Sequence, residues 1–207
     1  MAESIRLPLF PLPMILYPET TLSVHVSEYP HRVLARRCLE EGRPFGVVWR
    51  RSESELAAVG CSARIMRLLR EYPDGRLDIL LRGERRFEIL ETFKRPLYLE
   101  AEVRFFDDIE IEPLDEPLRE RAIALHIKLV ETSGKKPDLS GYGRYRRVSF
   151  FLAANGDLSL EQGQSLLELR SENARLSALV EHLHRQVGTA LLQRRVQSNG
   201  WLSKGRP

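Results

Sequence analysis

The sequence predicts an α+β fold, and three observations carry the prediction. Apolar and polar residues alternate with period two through most of the first half. Apolar residues recur at spacings of three and four through the second half. The two regimes follow one another instead of interleaving, which separates α+β from a βαβ winding. A β-rich subdomain is expected over residues 1–112, a helical subdomain over 113–197 and a flexible tail over 198–207. The seam is expected in the acidic, proline-containing stretch from Asp107 to Asp115.

The apolar run from Leu7 to Pro18 is broken by Pro8, Pro11, Pro13 and Pro18. Prolines at that density exclude a smooth helix, and the run is too short to span a bilayer. No small-residue cleavage site marks a signal peptide, so the expected location is cytoplasmic. Leu22, Val24 and Val26 alternate with polar neighbours as a half-buried strand. Residues 28 to 41 place Val33, Leu34, Cys38 and Leu39 on one helical stripe, and Gly42 suits the stop. Phe45 to Trp49 is a short apolar strand. Cys61, Ala63 and Ile65 open a further strand, and Pro73-Asp74-Gly75 supplies a turn, since proline fixes φ and glycine accepts positive φ. Leu77, Ile79 and Leu81 alternate on the far side, giving a hairpin. Phe87 and Ile89 continue it, and Leu97, Leu99, Ala101, Val103 and Phe105 mark a long strand with one wet face.

The helical half begins with Asp115 and Pro117 at a helix start. Leu118, Ala122, Leu125 and Leu129 form its stripe, and Gly134 ends it. Residues 135 to 147 read as a basic loop. A short helix follows through Val148, Phe151 and Leu152, stopped at Asn155-Gly156. Ser159 with Gln162 forms a capping box before Leu166, Leu167 and Leu169. Ser171 caps a last helix whose stripe of Leu176, Val180, Leu183, Val187 and Ala190 reads as core packing.

Composition narrows function more than it specifies it. The chain has 207 residues, 43% hydrophobic and 29% charged, with 32 basic and 29 acidic side chains for a net charge of +3. A chain of this size builds its own core without disulfides or metal. So small a net charge does not by itself indicate a nucleic-acid binder. Cys38 and Cys61 cannot make a disulfide framework or a four-ligand zinc site and read as buried hydrophobes.

Motifs for chemistry are absent. There is no G-x-S-x-G and no phosphate-binding G-x-x-x-x-G-K-[ST]. His182 and His184 lie two apart on a helix and cannot grip one ion as an i, i+4 pair does, so they read as solvated. Asp107-Asp108 reads as a solvated turn, not an acid/base couple. No cofactor and no metal are expected. The strongest binding candidates are Tyr142, Arg144, Tyr145 and Arg146 in the basic segment. Aromatic rings interleaved with cations suit single-stranded nucleic acid and equally a protein partner.

The order of the residues also resembles a known family. LPLFPLPMILYPETTLSVHVSEYPHRVLARRCLEEG is similar to the opening of the Lon protease N-terminal domain. VGCSARIMRLLREYPDGRLDILLRGERRFEIL resembles its next segment. SFFLAANGDLSLEQGQSLLELRSENARLSALVEHL resembles its helical part. The resemblance implies a PUA-like, strongly curved β-domain followed by a helical bundle, in a stand-alone form without the ATPase and protease modules. It also implies a non-catalytic role in recognising unfolded or partly exposed polypeptide, with a protease or chaperone system as partner. RNA binding, which PUA-like folds can perform, is the alternative. No membrane partner is expected.

Overall fold

The computed structural model describes residues 4–109 and 112–202, with side chains through residue 194. The chain divides into two compact units. One takes the chain up to Ile109 and adds Leu158–Arg170; the other continues through Asp157 and resumes at Ser171.

The first unit holds β1 (Ser4–Leu12), β2 (Thr21–Val26), α1 (Tyr29–Glu41), β3 (Phe45–Trp49), β4 (Val59–Glu71), β5 (Leu77–Lys94) and β6 (Leu99–Phe106). Their sheet order is β2-β5-β4-β3-β1-β6, with an additional pairing of β5 to β6. That pairing joins β5, β4, β3, β1 and β6 into a closed ring. Only β1 with β3 runs parallel; the other described pairs are antiparallel. Closure removes sheet edges within the ring. The length of β5 makes it possible. Its first part, Leu77 to Arg82, lies between β2 and β4, and its last part, Arg86 to Lys94, pairs with β6.

The sequence patterns map directly onto burial. All five residues of β3 are buried, because apolar side chains pack on both of its faces. Phe45 and Val47 join a core with Leu34, Cys38 and Ile79, while Val48 and Trp49 join another with Leu9, Phe87 and Val103. The Pro-Asp-Gly turn forms as expected. The Gly75 N–H donates to the Tyr72 carbonyl at 2.9 Å, and Gly75 takes φ 84°. Gly42 closes α1 at φ 63°. The buried stripe of α1 is Leu34, Ala35 and Cys38, whereas Leu39 is exposed and Val33 only half-buried. Leu97 belongs to the turn before β6 and is exposed.

The second unit contains α2 (Glu116–Thr132), α3 (Leu139–Arg144), α4 (Val148–Asn155) and α6 (Glu172–Leu202); α5 (Leu160–Glu168) belongs with the strands. The Asp115 side chain caps α2 by accepting from the Leu118 N–H. The capping box of Ser159 and Gln162 opens α5 with both reciprocal bonds present. α6 buries Leu176, Leu179, Val180, Leu183 and Val187 within the chain.

Four expectations change here. The segment 135 to 147 is not simply a loop, because α3 forms within it. Residues 198 to 202, expected in the tail, continue α6, and residues 203 to 207 lie outside the described ones. His182 is buried, and its Nε2 lies 3.0 Å from the Gly156 carbonyl; a carbonyl only accepts, so that nitrogen carries the proton. Asp108 is not solvated but paired inside the fold. No described helix is long and apolar enough to cross a membrane.

Candidate functional site

Residues 64 to 70 read R-I-M-R-L-L-R, with arginine at every third position. A regular strand would send Arg64 and Arg70 to one face and Arg67 to the other. Two β-bulges in β4 alter this. Its register on β5 shifts between Ile65 and Arg67 and again between Leu68 and Arg70. Each shift inserts one residue, Met66 and then Leu69. Arg64 therefore lies opposite Arg82, Arg67 opposite Leu80, and Arg70 opposite Asp78. Ile65 and Leu68 lie opposite Leu81 and Ile79, which are buried in the core. β2 extends the same rows, pairing Thr21 with Arg82, Ser23 with Leu80 and His25 with Asp78.

The product is an open three-strand face with all three β4 arginines on one side. Arg64, Arg67, Arg70 and Arg82 are exposed, and Met66 and Leu69 are 55% and 42% exposed between them. Arg64 is engaged: its Nε donates to Glu84 Oε1 at 2.7 Å and its Nη1 to the Gly42 carbonyl at 2.5 Å. Among the described residues Arg67 and Arg82 make no ion pair.

Each end of the face is built differently. At one end a cleft of about 390 Å³ is lined by Glu19, Arg64, Met66, Arg82, Gly83 and Glu84. Gly83 allows the chain to close there, since a Cβ would collide with the Tyr17 carbonyl oxygen. Its N–H donates to the Thr20 carbonyl at 2.9 Å, and its own carbonyl accepts from the Glu19 N–H at 2.8 Å. At the other end His25 Nδ1 lies 2.6 Å from Asp78 Oδ1, and the Tyr72 hydroxyl donates to Asp78 Oδ2 at 2.8 Å. Those bonds, from His25 first and Tyr72 second, hold the Asp78 carboxyl below its usual range. The Arg70 and Arg76 guanidinium carbons lie 4.6 and 5.1 Å from the centre of the Tyr72 ring.

The residues singled out from the sequence lie in the other unit and divide into two pairs. Tyr142 is 6% exposed, and its hydroxyl lies 2.8 Å from His126 Nδ1. The Tyr145 ring stacks on Phe151 at 4.9 Å. Arg144 and Arg146 stay exposed. The stacking that RNA binding would ask of these tyrosines thus competes with contacts inside the fold. The β4 arginines were missed because their shared face depends on the bulges; the threefold spacing was the visible signal.

Among the described residues no group of three or more His, Cys, Asp or Glu could hold a metal ion. Burial pushes the Cys38 thiol up to about 11 and Cys61 up to about 12, so neither is a thiolate at neutral pH.

The ATP-dependent protease La (LON) substrate-binding domain matches residues 6–185. The chain belongs to the Lon substrate-binding domain family. It is similar to the Lon protease of Anaeromyxobacter dehalogenans, with 27% identity over 215 residues covering 96% of this chain and 25% of that protein. It is also similar to the Lon protease of Amoebophilus asiaticus, with 21% identity over 198 residues covering 88% of this chain and 24% of that protein. The chain thus spans about a quarter of the length of these curated relatives. Among solved structures, a Lon N-terminal domain protein from Xanthomonas campestris superposes with a TM-score of 0.66 at 30% identity, covering 86% of this chain and 98% of that one. The N-terminal domain of Mycobacterium avium complex Lon protease superposes at 0.69 with 20% identity, covering 87% and 98%, and bears on the fold alone. The α+β class and the family resemblance read from the sequence both hold.

Proposed function

We propose that this chain binds unfolded or partly exposed polypeptide and does not change it covalently, delivering it to a proteolytic partner. The observation that carries the reading is the match of residues 6–185 to a substrate-binding domain. Two physical features support it. An open sheet face with exposed Met66 and Leu69 beside arginines offers apolar area and charge together for side-chain contacts with a peptide. Burial of both cysteine thiols, each with its pKa pushed up, speaks against covalent chemistry through them.

The test uses α-lactalbumin that has been reduced and carboxymethylated, which keeps it unfolded, with native α-lactalbumin as control. Fluorescence anisotropy should show saturable binding of the unfolded form and none of the native form. Gel analysis of the same mixtures with ATP should show no cleavage. Failure to bind the unfolded form, or its degradation by the pure protein, would overturn the proposal.

A further inference from the structure

We infer that the face built from β2, β5 and β4 selects acidic polypeptide segments in extended conformation, with Arg67 and Arg82 as the charges that recognise them. The inference rests on the polypeptide-binding reading above and names the substrate class.

Charge complementarity is the first argument. Of the four arginines on this face, Arg64 is paired with Glu84 and Arg70 lies against Tyr72. Arg67 and Arg82 carry no ion pair among the described residues and occupy neighbouring rows, on adjacent strands. Successive rows on β5 are two residues apart, about 6.6 Å at the usual rise per strand residue. An extended peptide laid along the strands presents every second side chain to the sheet at the same spacing. Arg67 and Arg82 stand one row and one strand apart, so carboxylates two residues apart on a peptide laid between β4 and β5 come within reach of both long side chains. Leu80, Met66 and Leu69 supply the apolar contacts around them.

The same face argues against nucleic acid. The rings at its end, His25 and Tyr72, are both engaged: His25 Nδ1 lies 2.6 Å from Asp78, and Tyr72 is approached by Arg70 and Arg76 and hydrogen-bonded to Asp78, so neither is a free stacking platform of the kind single strands use.

The experiment uses the full chain and three labelled probes: a short peptide with Glu at alternate positions and Leu or Ser between, its Lys-for-Glu counterpart, and an oligothymidylate. The acidic peptide should bind more tightly than the basic one and weaken at high salt. Reversing both charges, Arg67→Glu with Arg82→Glu, should weaken it by about tenfold or more, because two attractions become two repulsions. Arg67→Ala should give a smaller loss. Arg121→Glu, in the other unit, should leave binding unchanged. Thermal melts keep the variants comparable, and both side chains are exposed. Equal binding of the acidic and basic peptides, or no effect of the double reversal, would overturn the inference while binding of unfolded α-lactalbumin leaves the broader reading standing. If the oligothymidylate binds more tightly than the acidic peptide and is lost in the double variant, the face serves nucleic acid and the inference fails. If neither peptide nor unfolded α-lactalbumin binds, both readings fall.

Discussion

Arg86 and Asp108 form a 2.5 Å ion pair with both side chains withdrawn from water, at 2% and 4% exposure. The same guanidinium donates through Nη1 to the Leu167 carbonyl at 3.0 Å and also to the Leu169 carbonyl. These are carbonyls at the C-terminal end of α5, which lack partners within the helix. One arginine on β5 thus holds α5 against the sheet, and Asp108 supplies the opposing charge.

Asp108→Ala should cost about 3–5 kcal/mol, because it strands a buried guanidinium. Urea denaturation would measure the loss. Amide exchange across Leu160–Glu168 should accelerate more than exchange across Phe45–Trp49. Stability unchanged within about 1 kcal/mol would show that the pair does not anchor α5.

Glu172 should behave similarly in the second unit. The N-cap residue of α4, Arg147, makes no side-chain cap. Glu172 fills the role from α6, accepting from the Ser149 N–H at 3.0 Å and the Ser149 hydroxyl at 2.6 Å. It also accepts from Arg175 Nη2 at 2.7 Å, and Arg175 is fully buried. Glu172→Ala removes a cap and a counter-charge together, with an expected loss of about 3–5 kcal/mol. Glu172→Gln should lose less, since its amide oxygen can still accept. Equal losses for the two variants in urea titrations would contradict this account.

Stability should fall as the solution is acidified through the histidine range. Burial pushes the His126 pKa down, with the Asn155 carbonyl acting weakly the other way. Its Nε2 lies 3.2 Å from that carbonyl, so the neutral ring donates there and accepts from the Tyr142 hydroxyl at Nδ1. The fold favours the neutral form. Its contribution is complete above the unfolded value of about 6.5 and is lost as pH falls below it toward the lower folded value. His31 is shifted down as well, chiefly by burial, and adds the same sign. Thermal melts between about pH 7 and about pH 5 should show a falling Tm. His126→Gln should lower the Tm at neutral pH and flatten the slope. An unchanged slope would remove His126 from the explanation.

Gly83→Ala should destabilise the first unit without touching any charge. The added Cβ meets the Tyr17 backbone carbonyl, which is also tied through the Thr20 hydroxyl at 2.8 Å. Backbone cannot swing aside as a flexible side chain does, so a cost of about 3 kcal/mol is expected. For a chain of this size that corresponds to a fall in Tm of roughly 6–12 °C. Wild-type melting of Gly83→Ala would show that the loop before β2 gives way freely.

Local chemistry was legible in advance. The Pro-Asp-Gly turn, the helix start at Asp115 and Pro117, the Ser159 and Gln162 capping box and the apolar run of β3 each depend on residues a few positions apart, and each formed as read. The family was legible too, because several segments retain their order along most of the chain. The candidate face was not. Its arginines share a side only because bulges absorb Met66 and Leu69, and nothing in R-I-M-R-L-L-R says which residue a neighbouring strand will skip. Buried pairs were hidden for a related reason: Arg86 and Asp108 are 22 positions apart, Ser149 and Glu172 are 23.

Short-range preferences, then, wrote the strands, caps and turns into the chain itself, since each is settled by its own backbone and nearest side chains. Which charges are drowned in the interior and which are offered to a ligand was decided only when distant segments met, because burial and register are properties of neighbours in space.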